Sequence, residues 1–150
     1  SNTAITIYKG ENFPSIKFDK ILLDAPCSGT GTIQKSPDTL KIYNPGMIKK
    51  LGYQQRRLIL KAYSLLKDNG TLVYSTCSLE PEENEEVIDY LLEKTDAKLE
   101  KAHLKNLKSS PAILKFGQKK YNSEIKKCLR IWPQDNNTEG FFVAKIKKKI

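Results

Sequence analysis

Three stretches of the chain carry the apolar patterns of β-strands. Residues 18–24 contain the uninterrupted run Ile21-Leu22-Leu23, which is typical of a strand buried on both faces of a parallel sheet. Residues 71–76 predict the next strand, and the alternation over residues 4–8 predicts a short strand ahead of both.

Helical spacing separates the two longer strands. Apolar residues recur at three- and four-residue intervals over residues 47–67, which predicts a helix with Asn44-Pro45 at its start and Gly70 as its stop. Gly52 could divide this segment into two helices. A second helix opens at Pro81, and its buried side consists of Val87, Ile88, Leu91 and Leu92. The acidic residues of its first turn suit the positive end of the helix dipole, which is a sufficient explanation for them.

The order strand, helix, strand, helix is that of an α/β protein with a parallel sheet. The close of the chain differs, because residues 127–132 and 140–146 predict two strands joined by the polar turn 133–139. We treat residues 103–126 as a lysine-rich loop with at most one short element. The predicted architecture is therefore a mostly parallel α/β sheet with an antiparallel hairpin at one edge.

Composition narrows the class of protein. The 150 residues, 39% of them hydrophobic, suit one domain with a single core and exclude a disordered tail. The apolar runs fall far short of the roughly 20 residues that cross a bilayer, so we expect no membrane segment. We find no signal peptide, and three cysteines are too few for a secreted disulfide scaffold. These features predict a cytoplasmic protein.

The net charge of +9 is concentrated at one end of the chain. Residues 1–97 hold 12 basic and 13 acidic side chains, whereas residues 98–150 hold 14 basic and 4 acidic ones. A basic surface of this kind attracts the phosphates of nucleic acid. A solvated lysine-rich face is the alternative, because few aromatic residues are interleaved with the lysines.

Two cysteines follow the two best-defined strands. Cys27 and Cys77 are separated by one helical crossover, which suits a right-handed unit whose strands lie close together in the sheet. Ligands of such sheets bind beyond the carboxyl ends of the strands, so both thiols should lie on that rim. Either cysteine alone would be read as packing. Together, in small polar settings and with Asp24 beside one of them, they indicate chemistry.

The remaining metal-ligating and nucleophilic candidates are weaker. Cys128 lies in an apolar strand and is predicted to be structural. His103 stands in a basic segment without a partner pattern, which favours a surface role or a supporting one. One histidine and scattered cysteines do not predict a zinc site.

Around the cysteines the chain resembles the Nop/Sun (Fmu) family of RNA cytosine-5 methyltransferases, which use S-adenosylmethionine. The family's Asp-Ala-Pro-Cys-Ser-Gly stretch is matched by residues 24–29. Its Ser-Thr-Cys-Ser and the following Pro-Glu-Glu-Asn-Glu are matched by residues 75–78 and 81–85. The resemblance covers about residues 17–97 and 127–147, and it implies the C-terminal half of a Rossmann-like methyltransferase fold.

The resemblance implies a covalent mechanism on tRNA or rRNA. Cys77 would be the nucleophile that adds to cytosine C6, and Cys27 would assist release of the methylated base. Asp24 would contact the N3/N4 edge of cytosine or the cofactor. A free thiol has a pKa of about 8.5, so Cys77 needs a local activating group that the sequence does not identify.

The resemblance and the charge pattern also predict binding residues. The resemblance implies cofactor contacts from Asp24, Pro26 and Glu11, the last standing where the family has an aspartate that contacts the adenine side. The candidate RNA contacts are Lys35, Arg130, Lys145 and Lys147.

One family feature is not found. The glycine-rich cofactor loop and the acid that binds the ribose should precede Asp24, and neither occurs in the 23 residues before it. The chain also begins without Met. We therefore expect residues 1–150 to be the C-terminal portion of a methyltransferase catalytic domain without its cofactor-loop half. Alone, they should be inactive and bind S-adenosylmethionine weakly or not at all.

Two other functions are open. A non-catalytic basic RNA-binding module derived from this fold would bind RNA in a salt-dependent way and would not need either cysteine. A thiol-redox protein would use Cys27 and Cys77, but the Cys-x-x-Cys spacing of such proteins is not present.

Overall fold

The computed structural model describes residues 10–149, apart from the side chain of Glu11. The strand predicted over residues 4–8 lies outside the described residues. The strands are β1 (Phe18–Asp24), β2 (Leu66–Thr76), β3 (Lys98–Glu100), β4 (Ser110–Pro111), β5 (Lys115–Phe116), β6 (Lys119–Lys120), β7 (Leu129–Ile131) and β8 (Phe141–Lys147). The helices are α1 (Pro45–Ser64), α2 (Glu85–Lys94) and the single turn α3 (Pro133–Asn136).

Six of these strands form one sheet in the order β1-β2-β8-β7-β4, with β3 also paired to β8. β1 and β2 are parallel neighbours, as the crossover predicted, and Asp24 lies opposite Ser75. β8 runs antiparallel to β2, β3 and β7, and β4 runs antiparallel to β7. The antiparallel pair predicted near the chain's end is confirmed as β7 and β8, but it lies inside the sheet, between β2 and β4, rather than at the predicted edge. Parallel pairing among the described strands is confined to β1 and β2, so the sheet is mixed.

One face of the sheet is covered by α1 and α2. The buried cluster on this face includes Leu72, Tyr74, Phe142, Ala144 and Ile146 from the sheet, Ile59 and Tyr63 from α1, and Val87, Ile88 and Leu91 from α2. The predicted buried side of α2 is thus confirmed for three residues, while Leu92 is partly buried against the cluster. In the described part of the chain β1 is the end strand, and its Leu22 is 70% exposed. Burial of β1 on both faces is therefore not observed there.

The helix between β1 and β2 is continuous. Asn44 caps it by accepting a hydrogen bond from the Gly46 N–H at 2.8 Å. Gly52 lies within α1 and does not divide it. Without a side chain at this position, the turn before α2 can pack closely against α1. A Cβ at Gly52 would lie 3.1 Å from the Glu82 carbonyl oxygen. The helix ends at Ser64 rather than near Gly70, and β2 begins at Leu66.

Residues 103–126 hold more structure than the predicted loop. β5 and β6 form a small antiparallel pair, β4 joins the main sheet, and a 3-10 turn covers Ser123–Lys127. These strands are two residues long, too short for an alternating pattern to show. No helix of residues 10–149 is long and apolar enough to cross a membrane.

Candidate active site

The two cysteines predicted to share one rim are in direct contact. The pairing of β1 with β2 continues past the end of β1, where the Ala25 N–H donates to the Ser75 carbonyl at 3.0 Å. Beyond this point the Sγ atoms of Cys27 and Cys77 lie 3.0 Å apart. Both side chains are partly buried and free of disulfides. The predicted convergence of the two thiols is confirmed.

Glycines after Cys27 let three backbone segments meet. Gly29 adopts a left-handed conformation with φ of 72°. The Gly31 N–H donates to the Cys77 carbonyl at 2.9 Å, and the Gly140 N–H donates to the Gly31 carbonyl at 2.8 Å. A Cβ at Gly31 would lie 2.4 Å from the Gly140 oxygen and 2.7 Å from the Cys77 oxygen. This segment therefore fixes the Cys77 backbone by close contact.

The contact between the two thiols shifts their pKa values in opposite directions. A hydrogen bond from Cys27 lowers the pKa of Cys77 to about 7, against burial and the charges of Asp24 and Glu139, which raise it. The hydrogen bond to Cys77, followed by burial, raises the pKa of Cys27 well above its usual range. Near neutral pH the pair can thus hold one proton, with Cys77 as the thiolate. The Cys27 thiol is therefore a candidate for the activating group that the sequence does not identify.

A buried carboxylate links the loops that follow the two cysteines. Glu83 is fully buried, and its Oε1 accepts hydrogen bonds from the Ser28 N–H at 2.8 Å and from Gln55 Nε2 at 3.0 Å. Its Oε2 accepts from the hydroxyls of Ser28 and Ser78, each at 2.5 Å. Gln55 Nε2 also donates to the Pro26 carbonyl at 2.7 Å. No sequence pattern predicts the side chains of Ser28, Gln55, Ser78 and Glu83 as site residues.

The prediction that Arg130 contacts RNA is wrong, because its guanidinium is buried in an ion pair. Its Nε and Nη2 donate to the two carboxylate oxygens of Glu85 at 2.6 and 2.7 Å, and its Nη1 donates to the Leu79 carbonyl at 2.9 Å. Arg130 is 1% exposed and Glu85 is fully buried.

The helix dipole is an insufficient explanation for the acidic residues near the start of α2. Both Glu83 and Glu85 hold their carboxylates in buried hydrogen bonds.

The lysines predicted to bind RNA lie in two places. Lys35 is exposed and pairs at 3.8 Å with Glu139, the carboxylate whose charge acts on Cys77. Lys145 pairs with Glu100 at 2.7 Å. Lys147 lies opposite Thr71, six residues along the chain from Cys77, which corresponds to about 20 Å of extended strand. Lys35 is thus near the thiols, whereas Lys145 and Lys147 lie toward the other end of β8.

An open cleft of about 500 Å³ lies beside β1 and includes Asp24, Pro26, Gln54, Gly10 and Asn12 in its lining. Two of the three predicted cofactor contacts, Asp24 and Pro26, therefore face one cavity. The side chain of the third, Glu11, lies outside the described residues, although its two neighbours line the cleft. Asp24 is exposed and accepts a hydrogen bond from the Ser75 hydroxyl at 3.3 Å.

The other two candidates lie apart from this chemistry. Cys128 is 1% exposed, and burial raises its pKa to about 12, as expected of a structural thiol. His103 is exposed.

Comparison with known proteins identifies the protein family to which the chain belongs. A family model described as "16S rRNA methyltransferase RsmB/F" matches residues 2–147. The tRNA (cytosine(49)-C(5))-methyltransferase of Pyrococcus abyssi is 48% identical over 146 residues, which are 96% of this chain and 47% of that protein. The 28S rRNA (cytosine(4447)-C(5))-methyltransferase of Homo sapiens is 37% identical over 154 residues, covering 99% of this chain and 19% of that protein. The chain thus spans about half the length of one relative and a fifth of the other.

Solved structures of related proteins share the fold of this chain. NSun6 from Pyrococcus horikoshii with SFG has a TM-score of 0.79 at 33% identity, covering 98% of this chain and 35% of that chain. A methyltransferase homolog protein from Pyrococcus horikoshii has a TM-score of 0.74 at 46% identity, covering 89% and 40%. The fold is therefore the α/β fold of methyltransferases. Since the family match extends over residues 2–147, the chain belongs to the 16S rRNA methyltransferase RsmB/F family, and its resemblance to Nop/Sun methyltransferases is confirmed.

Proposed function

We propose that the protein containing these residues methylates C5 of a cytosine in tRNA or rRNA, using S-adenosylmethionine and a covalent bond between Cys77 and C6. The observation that carries this proposal is the 3.0 Å contact between the Cys27 and Cys77 sulfurs. Packing alone would not require a thiolate, whereas this contact lowers the pKa of Cys77 to about 7. Relatives named as tRNA and rRNA cytosine-C5 methyltransferases support the substrate class.

The cleft beside Asp24 supports the choice of cofactor. Its volume of about 500 Å³ suits a small molecule, and it adjoins the carboxyl end of β1, where α/β sheets bind ligands. Asp24 and Pro26 would hold S-adenosylmethionine, and Glu11 stays the predicted contact on the adenine side. A structural neighbour contains SFG, an analogue of this cofactor. When bound, S-adenosylmethionine supplies a methyl group on a positively charged sulfur.

Addition by Cys77 makes C5 reactive. Cytosine C5 is a weak nucleophile, and the Cys77 thiolate overcomes this by forming a bond to C6. The electron pair of the C5–C6 double bond then becomes available at C5, which takes the methyl group. Asp24 is exposed at the same rim, where its carboxylate can accept a hydrogen bond from the N4 amino group and orient the ring.

Release of the methylated base uses the thiol of Cys27. While Cys77 is bonded to C6, it no longer offers the hydrogen bond and charge that raise the pKa of Cys27. Cys27 then loses its proton to solvent, and its thiolate takes the proton from C5. The electron pair of that C–H bond restores the C5–C6 double bond, and the S–C6 bond breaks to return Cys77 as a thiolate. Each turnover releases one proton to solvent.

Lys35 is the proposed RNA contact near the target base, because its ion-pair partner Glu139 acts on Cys77. Lys145 and Lys147 would bind phosphates farther along the RNA. The cytoplasm stays the proposed compartment.

The test uses protein expressed from its complete reading frame, with 5-methylcytosine in tRNA and rRNA measured by mass spectrometry. Cys77→Ala is expected to abolish methyl transfer, because the nucleophile is lost. Cys27→Ala is expected to accumulate a protein–RNA adduct that survives a denaturing gel, because the C5 proton is not removed.

Cys128→Ala is the matched control, since this buried thiol takes no part in the proposed reaction, and it should retain methyl transfer. Normal turnover by both Cys27→Ala and Cys77→Ala would refute the proposal. Salt-dependent RNA binding by a wild-type protein that transfers no methyl group would instead support the non-catalytic module.

A further inference from the structure

We propose that Glu83 is a positioning residue that holds the thiols of Cys27 and Cys77 in contact by clamping the two loops that carry them. We call these the cysteine loops, residues 25–29 and 77–80. A role of Glu83 in catalysis rests on the proposed function, whereas its effect on the contact and acidity of the two thiols does not.

The hydrogen bonds of Glu83 are unusual for a fully buried carboxylate. In the described part of the chain its four donors are two serine hydroxyls, one backbone N–H and one glutamine amide, none of which carries a charge. Four hydrogen bonds fill the acceptor sites of a carboxylate. By contrast Glu85, two residues away, is neutralised by Arg130. Glu83 therefore depends on the cysteine loops for its partners, and each loop depends on Glu83.

Two of the three residues that donate to the Glu83 carboxylate are the serines directly after the two cysteines. Ser28 follows Cys27 and is held by both its N–H and its hydroxyl, and Ser78 follows Cys77 and is held by its hydroxyl. Gln55, which donates to Glu83, also holds the Pro26 carbonyl on the other side of Cys27. The peptide units on both sides of Cys27 are thus fixed by one network.

This clamp bears on the reactivity of Cys77 through distance. The hydrogen bond between the thiols weakens as the sulfurs separate, and a displacement of about 1 Å is large for a reacting group. Burial and the carboxylates of Asp24 and Glu139 raise the pKa of Cys77, and the hydrogen bond from Cys27 is the largest influence that lowers it. Loosening either cysteine loop should therefore make Cys77 less acidic.

The decisive measurement is the pH profile of Cys77 alkylation by iodoacetamide in protein expressed from its complete reading frame, followed by peptide mass spectrometry. The wild-type midpoint is expected at about 7. In Glu83→Gln an amide nitrogen replaces one accepting oxygen, so hydrogen bonds from the serine hydroxyls are lost. The midpoint should rise to about 8 or above, which lowers the thiolate fraction at neutral pH about fivefold or more.

Two further variants separate positioning from stability. Ser78→Ala removes one bond of the clamp and should raise the midpoint in the same direction, which preserves the test if Glu83→Gln does not fold. Ile146→Val removes a methylene group from a fully buried core residue that lies opposite Leu72, away from the end of β2 that leads to Cys77, so it should lower the melting temperature and leave the midpoint at the wild-type value.

An unchanged midpoint in Glu83→Gln, or in Ser78→Ala if Glu83→Gln does not fold, would overturn the positioning role. An equal rise in Ile146→Val would overturn it as well, because general loosening would then explain the effect. These assays contain neither RNA nor methyl donor, so such results would leave the proposed function standing. Conversely, a wild-type protein that transfers no methyl group would refute the proposed function without altering the thiol result.

Discussion

Replacing Cys27 by alanine should make Cys77 a weaker acid while leaving its surroundings in place. The hydrogen bond from Cys27 is the largest influence that lowers the pKa of Cys77 to about 7. Burial and the charges of Asp24 and Glu139 act in the opposite direction. Without the Cys27 thiol, we therefore expect the pKa of Cys77 to return to at least the ordinary value of about 8.5.

The size of the effect depends on pH in a characteristic way. At neutral pH the ionised fraction of Cys77 should fall from about one half to about 3%, a loss of about 15-fold. A thiolate of higher pKa is the stronger nucleophile, and a Brønsted coefficient of about 0.45 makes each remaining thiolate about fivefold more reactive. The alkylation rate should therefore fall only about threefold at neutral pH and exceed the wild-type rate above about pH 8.

The assay is alkylation with iodoacetamide over a range of pH, with peptides resolved by mass spectrometry. It measures, for Cys77 alone, the pH at which the rate of the variant overtakes that of the wild type. Cys27→Ser is the matched variant, because its hydroxyl can still donate a hydrogen bond and should keep the pKa below that of Cys27→Ala. Rate profiles of wild type and Cys27→Ala that share a midpoint near neutral pH would refute the reasoning. The acidity of Cys77 would then have another source.

Other variants test neighbouring features. Asp24→Asn removes a charge that raises the pKa of Cys77, so the alkylation midpoint should move to lower pH; a move to higher pH would contradict this assignment. Gly31→Ala places a methyl group 2.4 Å from a backbone oxygen, and thermal unfolding should show a loss of about 1–3 kcal/mol, whereas wild-type stability would show that the backbone can yield. Arg130→Met leaves Glu85 buried without its partner and should cost about 3–5 kcal/mol in denaturant unfolding. The same substitution should leave the salt dependence of RNA binding unchanged, and a smaller slope would restore Arg130 as an RNA contact.

The thiol pair could be predicted because it depends on strand geometry alone. Apolar patterns located β1 and β2, one helix separated them, and parallel neighbours place their carboxyl ends on one rim. Any residue that directly follows both strands must then lie close to its counterpart. The prediction that Cys27 and Cys77 meet therefore required no knowledge of the side chains around them.

The clamp and the ion pair could not be predicted in this way, because each joins residues that no local pattern relates. Glu83 reaches Ser28, 55 positions earlier, and Arg130 reaches Glu85, 45 positions earlier. On a helical pattern, a glutamate near a helix start and an arginine in a basic segment both look solvated. Only the packing of α2 against the rim turns these charges inward.

The charges around Cys77 show why the site contains two cysteines. Among the described residues, the charged groups that shift the pKa of Cys77 are Asp24 and Glu139, and both raise it. A nearby cation would lower that pKa by charge attraction, which salt screens, but here a neutral Cys27 thiol does so through a hydrogen bond. In the proposed reaction this donor is released when Cys77 bonds to C6, at the step where a base is needed for the C5 proton. In that reaction one sulfur–sulfur contact therefore accounts for both activation of the nucleophile and release of the product, whereas an arginine beside Cys77, which stays protonated, could supply only the first.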